Sequence, residues 1–276
     1  MKNILERLYA KYNRRELIKP DPLQFVYNYT NHLDMEAAGF LSAALAYGRV
    51  QQIEKDLTDL FTKMGKSPSA FILDFNNRQA DKLDSFKHRF TSGSDISELF
   101  FLLKQVLTDH GSIEHCFTAG LNKTDKNIIA AMGKFCDLLA DTYRRLRHRE
   151  PAASLLYLFV NPSGKSACKR LNLFLRWMVR DDDVDAGLWK EVDKSQLIVP
   201  VDVHMGRLCK ILGFYNRSTV DLKTAVEITD SFKKLCPEDP VKYDFALSRI
   251  GIVENCTGRP GKYCKFCTLR EFCGGN

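Results

Sequence analysis

The sequence predicts an all-α protein. Apolar residues recur at helical spacing through most of the 276 residues, whereas strand-like alternation is scarce. Gly65 and Gly111 follow two of these patterns, at the positions where a left-handed residue commonly ends a helix. No segment approaches the roughly 18 consecutive apolar residues of a membrane span.

The helical patterns follow one another along the chain. They cover 35–48, 50–65, 96–111, 126–146, 167–180, 203–213, 220–236 and 240–256. Ser94 or Asp95 is the expected N-cap of the third helix, because both side chains accept hydrogen bonds from the first turn. Residues 75–93 and 181–202 have the least helical character, and we expect the acidic run at 181–183 to be a solvated loop.

The distribution of charge along the chain favours a polyanionic partner. The 41 basic and 34 acidic residues give a net charge of +7, which permits such a partner without requiring it. Basic residues concentrate in the C-terminal half, at 143–150, 165–180 and 259–270, a distribution that favours nucleic acid over a small molecule. The first residues lack the apolar centre of a signal peptide, so we expect a cytoplasmic protein. Walker loops, Ser-His-Asp sets and dinucleotide-binding glycine patterns do not occur, which argues against those enzyme classes.

Four cysteines near the end of the chain form a metal-ligand pattern. Cys256, Cys264, Cys267 and Cys273 are spaced C-x7-C-x2-C-x5-C. The C-x2-C pair lets two thiolates reach one centre, and the outer cysteines complete four ligands. Zinc and a [4Fe–4S] cluster both accept four thiolates. Zinc sites usually use two separated C-x2-C pairs, so the single short loop favours the cluster, with zinc as the alternative.

The other five cysteines show no disulfide framework. They lie in helix-like sequence, and we expect each to be a small buried apolar residue in a reducing compartment. They are Cys116, Cys136, Cys168, Cys209 and Cys236.

Two further elements point to chemistry. Asp202 follows Pro200 and directly precedes an amphipathic helix, which by itself indicates an N-cap. Upstream, the turn Pro162-Ser163-Gly164 leads into a helix that opens with small residues and lysines. Two helices joined by such a turn form a helix-hairpin-helix, whose backbone amides can hold a DNA phosphate.

In combination these elements resemble the helix-hairpin-helix DNA glycosylases typified by endonuclease III and the mismatch adenine glycosylase. The hairpin with a lysine, the P-V-D-x-H-x-x-R segment from Pro200 to Arg207 and the terminal cysteine loop occur in that family's order. The stretch EAAGFLSAALAYGRVQQ is also similar to archaeal 8-oxoguanine glycosylases and to an uncharacterised bacterial branch. The resemblance implies a two-lobed helix-hairpin-helix fold in a monomeric, nucleoid-associated enzyme.

The resemblance also implies a reaction. The enzyme would remove a damaged base from double-stranded DNA, with oxidised purines as candidates, and would cleave the strand as an abasic-site lyase. Asp202 takes the role of the aspartate that stabilises the positive sugar. A lysine would form a Schiff base with the sugar C1′. Lys165 and Lys169 are both candidates; they share a helical face, and we favour Lys169 because Lys165 lies at the turn.

The same resemblance assigns contacts and segments. The expected DNA contacts are Ser163, Gly164, Ser166, Arg170, His204, Arg207, Arg259, Lys262, Lys265 and Arg270. Residues 1–34 would pack with the cluster lobe, 35–180 would form a helical domain ending in the hairpin and its helix, 181–255 would carry the aspartate and C-terminal helices, and 256–276 would form the [4Fe–4S] loop.

Two alternatives remain at this point. One is a non-catalytic nucleic-acid-binding iron–sulfur protein, and the other is an RNA- or nucleoside-processing enzyme, since a fold does not fix a substrate. Trp177 and Trp189 are either core residues or aromatics that stack on a base.

Overall fold

The computed structural model describes residues 1–254, 256–259 and 261–273. Within this part of the chain the protein is predominantly helical, so the all-α prediction is confirmed. The helices are α1 Lys2–Tyr12, α2 His32–Ala44, α3 Val50–Met64, α4 Pro68–Leu73, α5 Asn77–Ala80, α6 Gly93–His110, α7 Ile113–Thr118, α8 Ile129–Arg147, α9 Ala153–Leu156, α10 Lys169–Val179, α11 Val203–Ile211, α12 Leu222–Lys233 and α13 Asp244–Ile252. One hairpin pairs β1 Lys87–His88 with β2 Thr91–Ser92.

The helix ends follow local capping chemistry. Gly65 and Gly111 both end their helices with a φ of 79°, a conformation that glycine adopts without a Cβ clash. The start of α6 differs from the expectation of Ser94 or Asp95. Ser92 is the N-cap, and it exchanges hydrogen bonds with Asp95 in a capping box, which satisfies two otherwise unpaired donors.

α10 lies at the centre of the larger group of helices. It packs against α2, which also packs against α4 and the 3-10 segment Pro22–Asn28. α6 packs against α4, α7, α8 and α9. Every residue of α10 from 171 to 179 is buried. The buried turns that follow the N-terminus of α10 therefore hold this end of the helix in place.

The N- and C-terminal segments meet in a second group. α13 packs against both α1 and α11. The Tyr12 hydroxyl donates to the Glu254 carboxylate at 2.6 Å and lies 3.0 Å from the Tyr263 hydroxyl. These contacts join the first helix to the beginning of the cysteine segment.

Buried ion pairs connect α10 to the chain that follows it. Arg176 pairs with Asp185 and with Asp244 of α13, and Arg180 pairs with Asp182 at 2.9 Å and with Asp185. The acidic run at 181–183 is therefore not a wholly solvated loop, because Asp182 faces a buried arginine. Such charges are stable inside a protein only while each remains paired.

The turn predicted before α10 is present. Pro162–Gly164 forms a 3-10 turn, and the chain before it consists of the one-turn helix α9 and the 3-10 segment Tyr157–Phe159. The two-lobed helix-hairpin-helix arrangement stays a prediction. Among the described residues, none of the helices has the length and apolar character needed to cross a membrane.

Candidate active site

Lys169 is the first residue of α10. Cys168 precedes it with a φ of 47°, and this left-handed residue turns the chain into the helix. The backbone carbonyl of Lys165 accepts a hydrogen bond from the Leu222 N–H at 3.0 Å, which ties the preceding turn to the start of α12. The position of Lys169 is thus set by a packed helix and an anchored turn.

Asp202 is the N-cap of α11, as the sequence indicated. Its Oδ1 accepts a hydrogen bond from the Met205 N–H at 2.8 Å. The apolar residues at 197–201 that precede it are buried, and the Val199 N–H donates to the Thr229 hydroxyl of α12 at 3.0 Å. α12 therefore supports both the turn before Lys169 and the segment before Asp202.

The two side chains form an ion pair. Lys169 Nζ lies 3.3 Å from Asp202 Oδ2, and the side chains are 33% and 42% exposed. Burial acts to raise the pKa of Asp202, but the charge of Lys169 and the Met205 N–H outweigh it and lower that pKa. Asp202 is therefore a carboxylate at neutral pH. Lys165 is exposed on the turn, so the structure favours Lys169 as the lysine beside the aspartate.

A cavity of about 280 Å³, which we call the Lys169 cavity, opens beside Lys169. Its wall includes Lys169, Tyr47, Tyr157, Cys168 and Arg170. Its volume is close to the lower end of small-molecule sites, which run from about 300 Å³ upward. Burial raises the pKa of the Cys168 thiol to about 11, and its Sγ bonds the Val160 carbonyl at 3.3 Å. Cys168 is therefore a poor nucleophile.

The hairpin turn has limited capacity for phosphate binding through its amides. The Ser163 N–H bonds the Asn161 side chain at 2.9 Å, and the Gly164 N–H bonds the Asn161 carbonyl at 3.2 Å. Ser166 is exposed, and its hydroxyl accepts a hydrogen bond from the Cys168 N–H. Both serine side chains face solvent, so their hydroxyls are the more accessible groups of this turn.

Arg170 faces inward instead of toward solvent. Its guanidinium donates to the carbonyls of Ala44 and Tyr157 and lies 4.0 Å from the centroid of the Tyr157 ring. These contacts hold the cavity wall together. The DNA contact expected at Arg170 stays a prediction, and in the structure its guanidinium is engaged by these groups of the protein.

His204 and Arg207 connect α11 to the C-terminal segment. The His204 ring lies against Gly251, where a Cβ would come within 2.1 Å of Nε2. Burial lowers the pKa of His204, so the ring is neutral at neutral pH. Arg207 is exposed, and its Nη1 donates to the Thr257 carbonyl at 2.6 Å. Both expected DNA contacts therefore have packing partners inside the protein.

The two tryptophans belong to the core. Trp177 is fully buried, and Trp189 is buried with its Nε1–H donating to Glu36 at 2.8 Å. Neither ring is available to a base. The five scattered cysteines are also buried, as expected.

The four terminal cysteines line one cavity. Cys256, Cys264, Cys267 and Cys273 contribute to a cavity of about 430 Å³. Backbone N–H groups bond two of the sulfurs, from Gly258 to Cys256 Sγ at 3.4 Å and from Gly261 to Cys264 Sγ at 3.2 Å. Hydrogen bonds of this kind are typical of sulfur ligands to a metal centre.

The size of this cavity bears on the identity of the metal. Four thiolates around one zinc ion lie about 3.8 Å apart, as Zn–S bonds of about 2.3 Å require. Among the described residues, no three His, Cys, Asp or Glu side chains converge closely enough to hold a single ion. A [4Fe–4S] cluster takes the same four thiolates, one on each iron, so the donor set by itself fits either metal centre.

Basic side chains surround the cysteine cavity. Arg259, Lys262, Lys265 and Arg270 are all exposed, and all except Lys265 line the cavity. Phe266 between them is 79% exposed. The four basic residues that the sequence predicted as DNA contacts therefore remain accessible to an anionic partner.

The structure adds aromatic residues that the sequence did not indicate. Tyr47, Tyr157 and Phe90 form a cluster at the Lys169 cavity, with ring centroids about 5 Å apart. They come from three distant parts of the chain. The only local signal was the short alternation of residues 87–92, which is too brief to predict a hairpin.

Fold and site define the class of protein: an all-helical protein with a lysine–aspartate pair beside an aromatic-lined cavity. Residues 21–253 match the model of DUF2400, a family described as proteins of unknown function, and the chain belongs to that family. Comparisons with curated proteins and with solved structures found no match.

The family match corrects the assignment made from the sequence motifs. The chain was expected to belong to the endonuclease III-like glycosylase superfamily, and this was wrong, because the matching family is a different one. The motifs behind that assignment are short. An N-cap requirement accounts for the aspartate of P-V-D, and the cysteine loop lies beyond the last matched residue, Val253.

Proposed function

We propose that this protein acts on damaged double-stranded DNA as a base-removing enzyme and abasic-site lyase. The observation that carries the proposal is the 3.3 Å separation of Lys169 Nζ and Asp202 Oδ2 at the edge of the Lys169 cavity. An amine next to a fixed carboxylate supplies a nucleophile and a counter-charge for a positively charged sugar. The exposed basic residues of the cysteine loop supply a surface for the phosphate backbone.

The proposed reaction begins with an extrahelical nucleotide whose C1′ lies beside the Lys169–Asp202 pair. The Lys169 ammonium first gives a proton to solvent. The neutral amine then attacks C1′ as the bond from C1′ to the base breaks, and the departing base takes that electron pair and a proton. The sugar ring opens to a Schiff base. Loss of a C2′ proton and of the 3′ phosphate then cleaves the strand by β-elimination.

Asp202 suits the electrostatic part of this reaction. Its lowered pKa keeps it ionised at neutral pH, and a negative charge beside C1′ stabilises the oxocarbenium-like transition state. The N-cap bond to Met205 fixes the carboxylate in place before the substrate arrives. A preorganised charge of this kind costs no reorganisation during the reaction.

Borohydride trapping tests the nucleophile. Purified protein is incubated with duplexes that contain an abasic site, an oxidised purine, an oxidised pyrimidine or a mismatch, and the Schiff base is reduced to a stable adduct. Lys169→Ala and Lys165→Ala form a matched pair, since the lysines are four residues apart and only Lys169 pairs with Asp202 in the structure. We expect an adduct with the wild type and with Lys165→Ala, and its loss with Lys169→Ala.

Two results would contradict the proposal. An adduct that survives Lys169→Ala would exclude this lysine as the nucleophile. Binding to the duplexes without adduct or base release on any of them would indicate a non-catalytic nucleic-acid-binding protein. Thermal unfolding of each variant, compared with the wild type, excludes a simple loss of folding.

We further propose that Cys256, Cys264, Cys267 and Cys273 bind a [4Fe–4S] cluster. The support is the shared cavity and the two amide hydrogen bonds to sulfur. The cluster, when bound, would add Fe–S bonds that hold the basic loop in one conformation. No step at Lys169 involves it.

Metal analysis distinguishes the cluster from zinc. Anaerobically purified protein with a cluster is brown and contains iron and acid-labile sulfide in equal amounts. We expect Cys267→Ser to lower the iron content, whereas Cys236→Ser, which changes a buried cysteine elsewhere, leaves it unchanged. A colourless protein with one zinc ion per chain would show that the alternative is correct.

A further inference from the structure

The hairpin of β1 and β2 holds its turn in one position next to the Lys169 cavity. The His88 ring lies between two polar groups, with Nδ1 2.7 Å from the Asp56 carboxylate and Nε2 2.9 Å from the Tyr47 carbonyl. The Tyr47 hydroxyl donates to the His88 carbonyl at 3.0 Å. These bonds connect both sides of β1 to α3 and to the cavity wall. The turn residues Arg89 and Phe90 are therefore carried on a fixed support.

Phe90 packs against two aromatic rings and is still partly exposed to solvent. Its ring is stacked on Tyr47, with centroids 5.0 Å apart and an interplanar angle of 21°, and meets the Tyr157 ring edge to face at 4.9 Å. Phe90 is nonetheless 54% exposed. About half of the residue's surface is therefore open to solvent, although Tyr47 and Tyr157 contact its ring.

This open surface continues the wall of the candidate active site. Tyr47 and Tyr157, the two rings that Phe90 contacts, both line the cavity that contains Lys169. Phe90 extends that aromatic wall outward to solvent.

The charges around the turn fit a phosphate backbone. Arg49, Lys87 and Arg89 are exposed, and none of them forms an ion pair within the part of the chain that the structure describes. The Arg89 guanidinium carbon lies 5.6 Å from the centroid of the Phe90 ring. Uncompensated cations beside an aromatic surface are the two components with which proteins bind unstacked nucleic acid.

We propose that Phe90 stacks on the nucleobase next to the nucleotide held at Lys169, while Arg89 lies against a neighbouring phosphate. This inference rests on the proposed function, because it places nucleic acid in the Lys169 cavity. It assigns a separate task to the hairpin: Phe90 stabilises the unstacked state of the substrate and takes no part in bond breaking. Every base has a flat face, so the contact reads no sequence.

The test uses a duplex that cannot react. A fluorescein-labelled oligonucleotide contains a tetrahydrofuran abasic analogue, which has no aldehyde for Lys169, and a 2-aminopurine directly beside it. Anisotropy measures affinity, and 2-aminopurine emission reports the stacking of that base. The variants are Phe90→Ala, Phe90→Tyr, which keeps the ring, and Leu146→Ala, which changes an exposed apolar residue on α8.

We expect Phe90→Ala to weaken binding by about 5- to 150-fold, since stacking on one base contributes about 1–3 kcal/mol. The 2-aminopurine signal of the wild-type complex should be lost in this variant. Phe90→Tyr and Leu146→Ala should bind within about twofold of the wild type. The salt dependence should remain the same in Phe90→Ala, whereas Arg89→Ala should reduce its slope by about one phosphate contact.

Binding of Phe90→Ala within twofold of the wild type, or an unchanged 2-aminopurine signal, would overturn the inference. The experiments distinguish a failure of this inference from a failure of the proposed function. Wild-type protein that forms the trapped adduct while Phe90→Ala binds normally refutes only the role of Phe90. Wild-type protein that responds to the probe through Phe90 but never forms an adduct refutes only the lysine chemistry. A thermal unfolding curve that matches the wild type shows that Phe90→Ala is folded.

Discussion

The carboxylate of Asp202 makes two contacts that substitution can separate. Its Oδ1 caps α11 through the Met205 N–H, and its Oδ2 carries the charge that faces Lys169. Asparagine keeps the cap and removes the charge, whereas alanine removes both. Because the pair is partly exposed, the charge contributes at most about 1 kcal/mol to stability. Loss of the cap costs about 1 kcal/mol more.

Stability and activity should therefore rank the two variants differently. In urea titrations we expect Asp202→Asn to lose less than about 1 kcal/mol of unfolding free energy, and Asp202→Ala to lose about 1 kcal/mol more than that. In single-turnover trapping both should be slower by about 100-fold or more, because both lack the charge. Ser112 provides the control, since it caps α7 through the His115 N–H at 3.0 Å. Ser112→Ala should lower stability and leave the trapping rate unchanged.

Either of two results would refute this reasoning. A wild-type trapping rate in Asp202→Asn would show that the negative charge plays no part in the reaction. Equal unfolding free energies for Asp202→Asn and Asp202→Ala would show that the cap contributes nothing. The two results are independent of each other.

Two further predictions concern stability. Burial raises the pKa of Glu36 to about 6 from 4.5, against hydrogen bonds from Ile113, Glu114 and Trp189. The unfolded chain then ionises first as pH rises, so stability falls by about 2 kcal/mol between about pH 4.5 and 6. The unfolding free energy of the wild type minus that of Glu36→Gln should shrink by this amount in urea titrations between about pH 4 and 7, and a constant difference contradicts it. Gly93→Ala would place a Cβ 1.8 Å from the Leu83 carbonyl oxygen and should cost about 1–3 kcal/mol, measured by the same titration. As a control, Gly133→Ala in α8 should be neutral or stabilising, because an added Cβ would meet no atom closer than 3.9 Å.

The sequence predicted the long helices well because their signal is local. The apolar spacing in 96–111 and 126–146 corresponds to α6 and α8 within a few residues. The start of α6 was placed two or three residues late. Ser94 and Asp95 are the local cap candidates, but the cap is Ser92, which forms a capping box with Asp95. Helix ends depend on one or two side chains, so they are harder to read than helix interiors.

The sequence could not predict the partners of the acidic run after α10. Arg176 and Asp244 are 68 residues apart, and Arg180 meets Asp182 across a tight loop. A run of aspartates followed by a polar stretch is typical of a solvated loop. Whether such charges face water or a buried arginine depends on how distant helices pack.

The candidate site, too, could be predicted only in part from the sequence. Asp202 and the two lysine candidates could be named from sequence, because an N-cap and a lysine-rich helix start are local features. The ion pair of Lys169 with Asp202 required the fold, since the residues lie on helices separated by a long loop. Arg170, expected to contact DNA, instead bonds carbonyls of the cavity wall. The spacing of residues in a helix does not distinguish an arginine that faces solvent from one that faces the protein interior.

The sequence by itself determined the helical class, the four-cysteine pattern and an aspartate at the start of a helix, because spacing and capping act over a few residues. The tertiary structure alone decided that Lys169 is the lysine facing Asp202 and that Phe90 stacks on Tyr47 of the cavity wall. It also decided that both tryptophans are buried. Those outcomes depend on packing between segments far apart in the chain, where burial and pairing energies choose the neighbours of each side chain.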